Sequence, residues 1–235
     1  MFDICEFYPS ITEEILVKAL NYAKKYINIT KEEMEIILQT KSGLLFSSNQ
    51  AWTKKGNKAF DVTMGSWDGA EVCDLIGLFL LSQLSDLNLN IGLYRDDSLA
   101  VSAARPRQIE VMKKKLCKIF KENRFNITID ANLKSVNFLD VTFNLETDTY
   151  KPYMKPNNSP LYVHTQSDHP PNILRNIPMS VNKRLCSISS NEEIFDSAKA
   201  PYEQALKNSG YNFELKYTQP NPSENPKNRR QRKIT

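Results

Sequence analysis

The sequence predicts an α+β fold: an antiparallel sheet with helices on one face, followed by a helical segment. Three observations predict it. Short apolar stretches come in adjacent pairs around turn residues, the mark of hairpins and so of antiparallel pairing. Between the pairs, apolar residues recur at helical spacing. After Pro160 the strand-like stretches end and proline-punctuated helices take over.

Each element has its own signal. Residues 2–7 read as a buried strand. Ser10 and Glu13 form a capping box that opens a helix to residue 27, with Ile15, Ala19, Tyr22 and Tyr26 as its stripe. Thr30 and Glu33 form a second box, before a short helix through Leu38. Residues 44–52 and 58–64 read as two strands joined by Lys54-Lys55-Gly56-Asn57. Residues 69–84 are apolar almost all round, as a buried helix is. Residues 90–94 and 98–102 are the arms of a hairpin. Arg105-Pro106 opens an amphipathic helix with Ile109, Met112, Leu116, Ile119 and Phe120 inward. A strand at 126–130 and a hairpin over 136–145 and 149–155 complete the sheet-forming part. Helices are expected at 171–177, 179–187 and 191–209, the last capped by Ser190 and stopped at Gly210. The expected domains are 1–155, a helical segment 156–217, and a disordered basic tail 218–235.

Net charge is +4 over 235 residues, but the basic residues cluster. Eight Lys and Arg against two Glu lie between Arg105 and Arg124, and five more basic residues lie between Lys227 and Lys233. Such clusters are the footprint of nucleic-acid binding and equally the look of a solvated helix or tail. Lys113, Lys114, Lys115 and Lys118 read best as solvating their helix. Cys5, Cys73, Cys117 and Cys186 are too far apart for a zinc pattern, and reduced thiols are expected. Nothing like a secretory leader opens the sequence, and its most apolar run, 75–81, is too short to cross a membrane. An intracellular protein with no membrane partner is expected.

The chemistry concentrates in Tyr94-Arg95-Asp96-Asp97. Asp-Asp in a turn is common, because Asp bonds its own backbone there. At a hairpin tip, however, two carboxylates can point out of the sheet toward divalent cations, which bind a few carboxylates plus substrate phosphates. Two ions about 4 Å apart clamp the attacking and leaving oxygens of a phosphoryl transfer. That needs a third carboxylate, and Asp3 supplies one if its strand neighbours the hairpin.

These residues resemble the palm of a reverse transcriptase. Phe2-Asp3-Ile4-Cys5-Glu6-Phe7-Tyr8 resembles the first palm motif, and Tyr94-Arg95-Asp96-Asp97 resembles Tyr-x-Asp-Asp. Met64-Gly65-Ser66-Trp67-Asp68-Gly69 stands where the family has its Gly-containing template and nucleotide motif. Leu133-Lys134-Ser135 with Asn137-Phe138-Leu139-Asp140 resembles the Lys-bearing motif and the primer-gripping hairpin. Penelope-like retroelements give the nearest likeness, through Tyr150-Lys151-Pro152-Tyr153, Ser167-Asp168-His169-Pro170-Pro171, Lys183-Arg184-Leu185 and Ser209-Gly210-Tyr211. Together the likeness covers residues 1–217.

The resemblance implies an RNA-directed DNA polymerase acting on an RNA template, a DNA primer and dNTPs with two Mg²⁺ or Mn²⁺ ions, in the nucleus. Asp3 and Asp96 would ligate both metals and Asp97 would support them. Lys134 would neutralise the leaving pyrophosphate, or is one more surface lysine. Tyr8, with Phe7 beside it, would face the nucleotide sugar, or is a core aromatic. Gly65 and Gly69 would let backbone approach the template or nucleotide, or form a simple turn. The sequence departs from the family around Gly65, where Gln-Gly and Ser-Pro are absent, and at Arg95. The family's basic fingers belong before Asp3, so a fragment is expected. The alternative is a non-catalytic, retroelement-derived remnant that binds nucleic acid.

Overall fold

In the computed structural model, which describes residues 1–53, 59–87 and 89–219, the first strand sets the pattern of the sheet. Along β1 (Phe2–Cys5), Phe2 and Ile4 are buried while Asp3 and Cys5 are half-buried, so the two carbon-rich side chains share one face. Glu6, at φ 48°, then turns the chain into a single helical turn, α1 (Phe7–Ser10). The strand therefore ends at Cys5 rather than residue 7. α2 (Glu13–Ala23) is capped by Thr12, whose hydroxyl accepts from the Ile15 N–H at 3.4 Å. Ser10 is the last residue of α1 and not the expected cap. The helix stops four residues short of residue 27, leaving Tyr26 exposed. α3 (Lys31–Gln39) does carry the Thr30–Glu33 capping box.

The next stretch differs most from expectation. Residues 44–52 are not one strand but a small hairpin, β2 (Leu45–Ser47) and β3 (Gln50–Trp52). Ser48 and Asn49, both at positive φ, make its two-residue turn, as type I′ turns require. The expected partner strand, 58–64, is reduced to one bridge between Phe60 and Ser42. The expected Lys54–Asn57 turn lies outside the described residues. α4 (Gly69–Ser82), β4 (Asn90–Tyr94), β5 (Asp97–Val101), α5 (Pro106–Glu122) and β6 (Asn126–Ile129) follow. The sheet order is β4-β5-β1-β6, and every neighbouring pair is antiparallel.

These elements form one compact unit, Met1–Leu133. Its core joins Phe2 and Ile4 to Leu16 and Leu20 of α2, Ile76 and Leu80 of α4, and Leu116 and Phe120 of α5. Phe2 meets Phe120 edge-on, with ring centroids 5.3 Å apart. Since Phe2 and Ile4 face the helices, Asp3 between them faces the other side of the sheet.

The second unit, Lys134–Thr235, begins earlier than the boundary expected at 155. It holds a three-stranded antiparallel sheet, β7 (Ser135–Phe138), β8 (Val141–Asn144) and β9 (Thr149–Pro152). Val141, Phe143 and Tyr150 of this sheet pack with Leu185, Phe195 and Leu206 of the helices, which is why the sheet belongs here. α6 (Pro171–Ser187) runs through Pro178 as one helix where two were expected. Conversely, the expected 191–209 helix is broken into α7 (Glu192–Ala198) and α8 (Ala200–Asn208). Asn191 and not Ser190 caps α7, accepting from the Ile194 N–H at 2.9 Å. Gly210, at φ +82°, ends α8 as expected; a Cβ there would collide with Thr165 Oγ1. Asn182 holds the segment beyond α8 by both ends of its amide, donating to the Lys216 carbonyl at 3.0 Å and accepting from its N–H at 2.8 Å. The expected tail lies outside the described residues from 220 onward.

Candidate functional site

Antiparallel register places Asp3 directly opposite Asp97. Directly opposed residues share a face, with Cβ atoms about 4.5–5.5 Å apart, so both carboxylates stand on the side of the sheet away from the helices. β4 and β5 are joined by a two-residue turn, Arg95–Asp96, because Tyr94 pairs with Asp97. Asp96 thus occupies the tip, and its carbonyl accepts the Ile4 N–H at 3.0 Å. The register is locked from the other face by Ser98. Its buried hydroxyl donates to the Phe2 carbonyl at 2.6 Å and accepts the Phe2 N–H at 3.2 Å. Sequence reading passed over this serine; its only signal is a polar residue inside an apolar arm.

The electrostatics follow from this geometry. Burial, then the charges of Asp96 and Asp97, hold the Asp3 carboxyl above its usual range. Neither Asp3 nor Asp96 meets a basic side chain in an ion pair among the described residues. Arg95, the nearest cation in sequence, lies over the Tyr94 ring, 5.3 Å from its centroid. Arg95 also sits at φ 56°, a left-handed conformation that is uncommon for a residue with a side chain and costs about 1–3 kcal/mol.

After the turn at Glu6, Tyr8 lies in α1. Tyr8 is 8% exposed and belongs to the core. It acts electrostatically on Cys73 of α4, and burial is the main reason that the Cys73 thiol is pushed up to about 11. Burial is the main reason that the Tyr8 hydroxyl is held above its usual range, with small opposing contributions from Arg95 and Asp96. Phe7 is different. It is 2% exposed, against Phe125 at 5.4 Å, and leaves no surface for a nucleotide.

The remaining predicted residues are dispersed. Gly65, at φ +88°, lies in an exposed turn with open space around its Cα. Gly69 opens α4, and a Cβ there would press Thr63 O at 2.8 Å and Ser66 Oγ at 2.7 Å, so helix-to-loop packing requires this glycine. Just before it, Asp68 pairs with Lys41, a lysine only 4% exposed. That pair ties the end of α3 to the start of α4, and sequence patterns gave no hint of it. Lys134 lies in the second unit, paired with Glu146 at 2.6 Å.

Among the described residues, no three His, Cys, Asp or Glu side chains are grouped to hold a metal ion. The donors at the tip are nonetheless hard carboxylate oxygens on adjacent strands. Mg²⁺ commonly takes one or two such carboxylates and completes its shell with substrate phosphates and water. The donor set fits an ion carried in with substrate and not an all-protein cage. No described helix is long and apolar enough to cross a membrane.

Among known families, the animal helix-turn-helix domain matches residues 161–215. The matched stretch takes in α6, α7 and α8, with residues 188–191 as the link between the first two. No curated protein matches the chain, and no solved structure does.

Proposed function

We propose that this chain is the palm and partial thumb of an RNA-directed DNA polymerase of a retroelement, similar to the Penelope-like group. One observation carries the reading: Asp3 faces Asp97 across a strand pair, Asp96 stands at the tip, and burial, then the charges of these two neighbours, raises the proton affinity of Asp3. Carboxylates gathered on one face at a hairpin tip are the kind of arrangement that a divalent cation with a nucleotide's phosphates neutralises. Asp3 and Asp96 would hold two Mg²⁺ or Mn²⁺ ions, with Asp97 behind them. When bound, those ions supply Lewis-acid stabilisation of charge on the attacking 3′-oxygen and on the transferred phosphoryl group. The chain's own part is positional. Ser98 fixes the register of the carboxylates, and Tyr8 sets the floor on which a deoxyribose would rest. The partners are an RNA template, a DNA primer and dNTPs.

The test is primer extension on an RNA template with Mg²⁺ or Mn²⁺. Asp96→Asn keeps the shape of the side chain and removes its charge, so extension should fall to background while folding is retained. Equal extension by that variant sinks the polymerase reading. Mn²⁺ titration followed by EPR gives a second readout, in which Asp3→Asn weakens binding.

The helix-turn-helix match favours a second reading, a module that binds nucleic acid without catalysis. In such motifs the second helix enters the major groove of DNA and its side chains read base edges. DNA binding that survives loss of the acidic tip, with no extension by the unaltered chain, would select this reading.

A further inference from the structure

The side of the first unit remote from the carboxylates carries its own charge pattern. α5 is buried through Leu116 and Phe120, with Ile109, Met112 and Ile119 half-buried beside them. At about 100° per residue, Arg107, Lys114, Lys118 and Lys121 fall within an arc of about 60° on the opposite side of that helix. All four are exposed. From Arg107 to Lys121 the stripe runs about 21 Å at a rise of about 1.5 Å per residue.

The placement of acids distinguishes this stripe from an ordinary solvated face. The two glutamates of α5 flank the stripe, Glu110 pairing with Lys113 at 3.1 Å and Glu122 reaching Lys118 loosely at 3.8 Å. Arg107, Lys114 and Lys121 make no ion pair among the described residues. Lys114, Lys118 and Lys121 follow one another at helical spacing, where like charges repel. Arg107 adds a cation at the helix N-terminus, where the backbone dipole disfavours one.

We infer that this outer face of α5 binds the phosphate backbone of a nucleic-acid duplex. Charge complementarity selects a polyanion, and the other side chains of the stripe select among polyanions. A single strand is gripped by aromatic rings that stack on its bases, and no aromatic residue stands on the outer face of α5. Anionic membranes are gripped through an apolar face that enters the lipid, but here that face is spent on the core and Val111 alone is left exposed on the stripe. A duplex turns its bases inward and offers phosphates alone, which suits lysine and arginine without rings. The stripe lies on the other side of the unit from Asp3, so this duplex is a separate segment from anything bound at the acidic tip. The inference holds whether or not the carboxylates catalyse transfer.

The experiment is fluorescence anisotropy of a labelled duplex of arbitrary sequence with the full chain, across a range of salt concentrations. Each phosphate neutralised contributes about −0.9 to the slope of log affinity against log salt. Lys114→Gln with Lys121→Gln should therefore flatten the slope by about 1.8 and weaken binding alike on unrelated sequences. An unchanged slope and affinity overturns the inference. So does a double variant that loses binding to phosphatidylserine vesicles but keeps its duplex affinity, which would assign the stripe to a lipid surface. The stripe variant should keep any primer extension and the Mn²⁺ affinity of the acidic tip. The two proposals thus fail separately.

Discussion

Two hairpin tips in this molecule share one turn and differ in the fate of one charge. β4–β5 turns through Arg95–Asp96, and β7–β8 turns through Leu139–Asp140. Both first residues take a left-handed φ, 56° for Arg95 and 54° for Leu139, at a position where two-residue turns favour glycine. Both second residues are aspartate. In the second unit, Asp140 is gripped by the Arg184 guanidinium, with Nε at 2.9 Å from Oδ2 and Nη2 at 2.7 Å from Oδ1. In the first unit, Asp96 makes no ion pair among the described residues, and burial, then the charges of Asp96 and Asp97, raises the proton affinity of Asp3. A paired acid at a turn is architecture. An acid held near other acids without an ion pair works against the folded state, and such groups gather at functional sites.

Five measurements sharpen or break that contrast. The largest effect is expected in activity, where Asp96→Asn removes extension and any comparable rate in the variant erases the distinction between the tips. Next is Tyr8→Ala. By analogy with truncation of other buried aromatics it should cost about 3–5 kcal/mol of stability, read as a lower denaturation midpoint. If the ring also excludes ribose, the ribonucleotide-to-deoxyribonucleotide incorporation ratio should rise at least about tenfold. An unchanged ratio with lowered stability leaves Tyr8 as core only.

Ser98→Ala is the third. It leaves the buried Phe2 backbone groups without their side-chain partner, a loss of about 1–3 kcal/mol. Because Asp3 follows Phe2 directly, Mn²⁺ affinity should fall along with the melting temperature. Loss of stability with unchanged Mn²⁺ affinity would separate register from site.

The smallest effect is the most direct comparison: the same substitution at both tips. Asp140→Asn weakens an exposed ion pair and should lower stability by no more than about 1 kcal/mol. Asp96→Asn relieves repulsion and should leave stability equal or higher at neutral pH. The sign for pH follows from Asp3. Its folded proton affinity exceeds the unfolded one, so the folded state binds more protons and stability falls as pH rises through that window. Asp3→Asn should therefore stabilise at neutral pH, with the gain fading as pH drops through the usual carboxylate range. A gain independent of pH breaks the electrostatic account.

Much was legible in the residues alone where the cause is local. The Thr30–Glu33 box, the β4–β5 arms, the buried side of α5 and the stop at Gly210 rest on hydrogen bonds and spacings within a few residues of each other. Local rules misled where two competed. Residues 44–52 have strand composition throughout, but Ser48 and Asn49 accept positive φ and fold the stretch back on itself. Pro178 should break α6, and packing in the second core keeps the helix whole. Pro201 lies in the first turn of α8, and just before it, at Lys199, the chain does break.

The candidate site divides the same way. Sequence by itself placed Asp96 at a hairpin tip, since turn preference and strand alternation act over neighbouring residues, whereas Asp97, expected in the turn, opens β5. It also offered Asp3 as a third carboxylate. Only tertiary structure decided that β1 lies beside β5 with Asp3 opposite Asp97. It also decided that Phe7 is spent on the core, that Lys41 is buried against Asp68, and that Asp140 is neutralised where Asp96 is not. Those outcomes depend on pairings across dozens of residues, where register, burial and charge are set by which surfaces meet, and no local spacing encodes that.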